Sequence, residues 1–302
     1  MTKNRVMFFL WIVLIVLMAS GIVIAKNCNC AVGSAIAGAL LSIFVRNAWL
    51  AFEDLFDTTN WKSSQRKLKR GGFIKDDTIV RISFAYLYRI KIDNKYLLVQ
   101  NSRNTGKFQP VGGVYKFRDD EKMKLKNLFH IMDDDKIPID KSSKDDYRLR
   151  IENKYLRKFV RRFNSKNASR ERIDDVSREF REEMIEKGIV RWNQISYRYC
   201  GRFMSDLRFE EHFQIYEMQL FDVVELIPTR EQELDLKNLL SREDDTFRFA
   251  TAEQIISLGM NISAGQLYEW IGDQTKKTLQ EYEAKLMRMR GFGKIYGPIN
   301  LR

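Results

Sequence analysis

Two long uncharged runs open the chain, and segments of alternating hydrophobicity follow them. From Val6 to Ala25 there are 20 residues without a charge, enough to cross a bilayer as a helix rising about 1.5 Å per residue. The run is longer than the apolar core of a secretory signal, and Ile22–Ala25 offers no small-x-small cleavage pattern. A second uncharged stretch runs from Asn27 to Val45, with Ala31–Val45 as its apolar core. It is rich in small residues, and Ser34 and Gly38 have the spacing that lets helices pack closely. The pattern predicts a two-helix membrane hairpin in residues 1–50, with Arg46 and Trp49 at its exit.

From about Asp77 the period changes. Thr78–Lys91 alternates and is rich in β-branched and aromatic residues, Asp93-Asn94 reads as a turn, and Lys95–Gln100 reads as a second strand of a hairpin. Phe108–Phe117 holds two adjacent glycines beside a proline, which marks a sharp bend at a strand end. Asp119–Asp146 is polar and aperiodic and reads as a loop, within an insertion spanning 119–168. Tyr155–Phe163 has the pattern of a basic amphipathic helix, with Tyr155, Leu156, Phe159, Val160 and Phe163 on one face. A charged helix over Ser169–Lys187 comes next, then strands near Gln194–Phe203 and His212–Val224. A helix is expected after Pro228 and another within Gln266–Met289, with Gly291–Lys294 as a flexible tail. Strands and helices without regular βαβ alternation predict an α+β domain over 77–302.

Charge orients this arrangement. The 302 residues carry 52 Lys+Arg against 40 Asp+Glu, a net +12. Lys3 and Arg5 precede the first helix. Arg46, Lys62, Arg66, Lys67, Lys69, Arg70 and Lys75 follow the second, and only Lys26 lies between the two. The positive-inside rule therefore places both termini in the cytoplasm and Cys28 and Cys30 outside. Residues 51–76 become a basic juxtamembrane linker suited to an anionic leaflet. Three cysteines exclude a disulfide framework. Two histidines 82 positions apart, His130 and His212, and the single remaining thiol, Cys200, leave too few ligands for a zinc site.

The most specific chemistry lies in Ser169–Lys187. Glu179, Glu182, Glu183 and Glu186 stand at i, i+3, i+4 and i+7, on one helical face. Ile173, Val176, Phe180 and Met184 form a separate apolar stripe. Clustered carboxylates are hard oxygen ligands of the kind Mg²⁺ takes, and they are equally the surface of a solvated, salt-bridged helix. The basic residues Arg157, Lys158, Arg161 and Arg162 could meet an acidic ligand or lipid headgroups, or simply solvent.

Arg178-Glu179-Phe180-Arg181-Glu182-Glu183 resembles the core REUxEE of the Nudix box, GX5EX7REUXEEXGU. Leu97–Gln100 followed by Phe108–Gly113 is similar to the strand and glycine turn before that box, Gly188-Ile189 to its close, and Glu171 lies near its first glutamate. The chain departs from the pattern in three places. A long insertion separates Gly113 from Glu171, six residues rather than seven lie between Glu171 and Arg178, and Gly188 comes three residues late. The resemblance implies a Nudix α/β/α sandwich on a mixed sheet with C-terminal helices. It assigns metal binding, with Mg²⁺, to Glu179, Glu182 and Glu183, and a catalytic role to Glu179 if the protein is a hydrolase. For a nucleotide ligand the candidate contacts are Gly112, Gly113, Phe108, Arg103 and Arg178.

A two-helix anchor joined to such a domain resembles the SMODS-associated transmembrane Nudix proteins of cyclic-oligonucleotide (CBASS) anti-phage systems. That resemblance implies a homo-oligomer in the bacterial inner membrane. Its Nudix domain would sense a cyclic di- or trinucleotide made by a partner nucleotidyltransferase encoded nearby, and its helices would disrupt the membrane. The residues also admit a membrane-tethered Mg²⁺-dependent hydrolase of a nucleoside diphosphate-linked substrate, with Glu182 and Glu183 on the metal and Glu179 assisting a water. A third reading is a membrane adaptor whose acidic helix binds a protein.

Overall fold

The computed structural model describes the chain except residues 1–2, 29–30, 57–60, 102–105, 139–142, 243, 261–264, 266–267, 290 and 302. It divides into two units, Met1–Arg70 and Gly71–Arg302.

The first unit holds α1 (Lys3–Asn27), α2 (Ala31–Phe56) and the basic α3 (Trp61–Arg70). Within α1 and α2, Val6–Asn27 and Ala31–Trp49 are each long and apolar enough to cross a membrane. The expected second span thus continues as helix beyond Val45. The two helices pair as an antiparallel hairpin, with Trp11 on Phe44 at 5.8 Å and Phe8 on Phe52 at 5.7 Å. These large rings hold the helices apart. A Cβ added at Gly38 would meet nothing within 4 Å, and the Ser34 hydroxyl donates to the Ala31 carbonyl at 2.8 Å. The Ser34/Gly38 spacing therefore brings no close backbone approach at Gly38 inside this hairpin.

The second unit is built on β1 (Ile79–Arg89), whose β-branched and aromatic alternation suits a buried strand. It pairs in parallel with β10 (Ile215–Leu226), Phe84 opposite Leu220. It pairs antiparallel with β5 (Gly112–Val114) and β7 (Arg148–Glu152). Beyond β10 come β8 (Gln194–Met204) and β12 (Ile295–Asn300), with β9 (Arg208–Glu210) also on β10 and β6 (Met132–Asp133) beyond β7. The result is a mixed sheet. A smaller sheet joins β2 (Lys91–Ile92), β3 (Lys95–Gln100), β4 (Phe108–Gln109) and β11 (Phe247–Ala250). Asp93 and Asn94 both adopt positive φ, 45° and 61°, as a two-residue hairpin turn requires. The hairpin lies between β2 and β3 rather than β1 and β3, because the chain leaves the large sheet at Ile90.

One face of β1 carries Phe84, Tyr86 and Tyr88, all buried. Helix α5 (Leu156–Phe163) packs Phe163 onto Phe84 at 4.8 Å, and α6 (Ser177–Phe180) packs Phe180 onto Tyr88 at 5.4 Å. Helix α7 (Arg230–Leu240) starts after Pro228, with Thr229 and Gln232 closing a reciprocal capping box.

Several expectations are corrected. The stretch 119–146 is not all loop: α4 (Glu121–Phe129) forms there, burying Leu125 and Phe129. The 119–168 region also supplies β7 and α5, so it belongs to the core. The charged helix begins only at Ser177, since Asp175 accepts from the Ser177 amide and hydroxyl and turns the chain. It continues past Phe180 as a π turn, Arg181–Ile185. In place of an α-helix within Gln266–Met289 there are two 3-10 turns, Asp273–Thr278 and Gln280–Lys285. The break between them is at Leu279, whose backbone is extended (φ −64°, ψ 141°), and buried Arg89 takes the Thr278 carbonyl at 2.5 Å and the Leu279 carbonyl at 3.1 Å there. Gly291–Lys294 is no free tail but leads into β12, and the Tyr199 amide donates to the Lys294 carbonyl.

Candidate functional site

The bend at Pro110–Gly113 and helix α6 meet across the insertion that separates them in sequence. The Gly112 amide donates to Glu183 Oε2 at 2.9 Å. Gly112 has φ +147°, and a Cβ there would stand 2.2 Å from the Tyr86 carbonyl; one at Gly113 would stand 1.9 Å from Glu179 Oε1. At Gly112 only glycine permits this approach to backbone, whereas the neighbour at Gly113 is the end of a side chain. The two glycines, Glu179, Glu182, Glu183 and Arg178 line one cavity of about 540 Å³.

Arg178 organises the acids. Its guanidinium donates to Glu171 Oε1 at 2.8 Å, to Glu179 Oε1 at 2.5 Å and to the Val114 carbonyl at 2.9 Å, with Glu182 Oε2 at 3.4 Å. Glu171, which lies outside the helix, also accepts from the Lys116 amide at 3.0 Å. The four carboxylates expected on one face divide. Glu183 is 5% exposed and Glu179 15%, whereas Glu182 is 42% and Glu186 59%, the last paired with Arg181 on the outside. Burial pushes the Glu179 carboxyl above its ordinary value. Burial, aided by the Glu179 charge, raises Glu183 to about 8. The apolar stripe Ile173, Val176, Phe180 and Met184 is wholly buried.

Phe108 is not at the cavity. It is buried in the small sheet beside Trp270 and Ile271, with the Arg248 guanidinium 4.7 Å from its ring. Arg103 lies outside the described residues. Of the basic face on α5, Arg162 is committed to Glu121 by two hydrogen bonds, at 2.8 and 2.6 Å. Sequence reasoning missed the cavity's other walls: Lys116, Arg148 and Lys187 as cations, Asn101, Gln109 and Gln274 as amides. Lys116, three residues past Gly113, carried a positional signal. Gln274 and Arg148 carried none, because strand pairing and the 3-10 turns bring them in.

Oxygen donors of this kind suit a divalent cation. Among the described residues, however, no three acidic, histidine or cysteine side chains are grouped to hold one. A cation would have to draw Glu182 inward and compete with Arg178 for Glu179. The donor chemistry fits and the arrangement does not.

The SMODS-associated NUDIX domain family matches residues 79–279. No curated protein matches the chain. Among solved structures, a UDP-X diphosphatase aligns over 95% of this chain and 98% of its own, at 11% identity and a TM-score of 0.25.

Proposed function

Because the chain belongs to the SMODS-associated Nudix family, we propose that its Nudix domain binds a cyclic oligonucleotide second messenger. In this reading the apolar helices span a bacterial inner membrane with both termini cytoplasmic. Ligand binding drives self-association and membrane disruption, as the effector arm of a CBASS anti-phage system. A nucleotidyltransferase encoded nearby would supply the messenger.

The arrangement of Arg178 carries the choice of sensor over hydrolase. Its guanidinium holds Glu171 and Glu179 while the Gly112 amide holds Glu183. Two of the three box carboxylates are therefore already engaged. The remaining walls hold groups that nucleotide binding uses: the cations Lys116 and Arg148, both paired with Asp146 of the same cavity, Lys187, and the amides Gln109 and Gln274 for base edges. Divalent cation use is general to Nudix domains.

The test uses the purified full chain in liposomes with a panel of cyclic di- and trinucleotides and Mg²⁺. Expected are saturable binding of one panel member, leakage that depends on it, and recovery of that nucleotide intact. Multiple-turnover cleavage of the bound nucleotide overturns the sensor reading in favour of the tethered hydrolase.

A further inference from the structure

Beside the carboxylate cavity lies a second and larger one of about 790 Å³, which shares Gln109, Gly112, Gly113, Val114, Arg148 and Gln274 with it. Its floor is the face of the large sheet opposite the aromatic core. That face is open because β1 presents small residues there: Ser83 stands opposite Gln219 and Ala85 opposite Phe221 in the parallel register with β10. The volume would hold a whole nucleotide.

Lys277, from the first 3-10 turn, reaches into this cavity. Its ammonium lies 4.8 Å from the Phe221 ring and 5.3 Å from the Phe203 ring. Among the described residues it has no hydrogen bond or ion pair. The nearby carboxylates are already used: Glu217 pairs with buried Arg81, and Asp273 is 71% exposed and pairs with Lys276 at 3.5 Å. Arg208 and Lys276 add repulsion, and burial lowers the amine's basicity. A half-buried cation without an anion costs stability, and ring faces offset only part of that cost. An anion delivered by a ligand would complete the site, with Phe221 and Phe213 as stacking surface and Gln219 as a base-edge partner.

We propose that this second cavity is a nucleotide subsite in which the Lys277 ammonium takes a phosphate, so that the ligand spans both cavities and carries at least two phosphates. The proposal rests on the reading of the first cavity as a nucleotide site.

Calorimetric titration of the full chain in detergent, with the four 5′-mononucleotides and the cyclic di- and trinucleotides, tests it. The best cyclic oligonucleotide should bind at least about 100-fold tighter than any mononucleotide. Lys277→Met should weaken it at least about tenfold, the loss expected for one charge-assisted phosphate contact, without lowering the melting temperature. Lys277→Gln, which keeps a polar tip, is the second variant if methionine disturbs the fold. A folded Lys277 variant that binds the oligonucleotide within twofold of wild type overturns the proposal and leaves the first site standing. Equal affinity for a mononucleotide overturns the spanning ligand. Binding of no panel member overturns the functional reading itself.

Discussion

Glu183 is the residue whose protonation the fold governs most directly. In the unfolded chain its carboxyl titrates near the ordinary 4.5, and burial lifts it to about 8 in the folded protein. The folded state therefore binds a proton that the unfolded state has lost between these values. The stability tied to that proton is fully present below about pH 4.5. It declines by roughly 1.4 kcal/mol per pH unit within the window and is gone above about pH 8. Glu183→Gln removes the titration while its amide oxygen still accepts the Gly112 N–H. Thermal melts from pH 5 to 8.5 should show the wild type losing stability relative to Glu183→Gln as pH rises, with the variant the more stable at pH 8. Parallel curves for the two proteins would contradict this. The comparison between them cancels the many carboxylates they share.

At the scale of elements, the contact between the glycine bend and α6 sets the geometry of the site. The two glycines face different neighbours, so they should fail differently. A Cβ at Gly112 meets the Tyr86 backbone of the central strand, at a φ of +147°. Gly112→Ala should cost about 2–4 kcal/mol through strain and overpacking, a fall of roughly 5–15 °C in melting temperature for a unit of this size. A Cβ at Gly113 meets only the tip of the Glu179 side chain, which can move. Gly113→Ala should melt within a few degrees of wild type yet bind the cyclic nucleotide about tenfold more weakly, as Glu179 is pushed off Arg178. Equal destabilisation by both substitutions would show that the bend tolerates no distinction. This contact was readable in part. The i, i+3, i+4 spacing of Glu179, Glu182 and Glu183 and the paired glycines are local signals, and they pointed at one site across the insertion. The length of the acidic helix was not readable, because Asp175 spends its side chain on the Ser177 amide and ends the helix early at its N-terminal side. The break in the C-terminal segment has a long-range partner as well: where Leu279 is extended, Arg89, 189 and 190 positions away, bonds the Thr278 and Leu279 carbonyls. Glu186 matched the spacing but turned outward once the π turn had formed.

At the scale of the whole molecule, the apolar runs were the most legible feature, since length and absence of charge suffice to define them. Their topology rests on the distribution of Lys and Arg, and two cysteines differ enough to report on it. Cys28 is exposed at the end of α1. Cys200 is 5% exposed on β8, and burial pushes its thiol up to about 11, so it holds little of the reactive thiolate at neutral pH. A membrane-impermeant maleimide added to intact spheroplasts should therefore label the wild type and fail to label Cys28→Ser/Cys30→Ser. Cys200 should stay unlabelled after lysis and react only on denaturation, so its silence in intact cells carries no topological information. The informative comparison adds a single cysteine at exposed Lys69 or Lys95, on the double-serine background. With both termini cytoplasmic, those sites react only after lysis. Labelling of Lys69→Cys from outside, with Cys28 protected, would reverse the proposed orientation and overturn the proposal that the domain binds a messenger made in the cytoplasm.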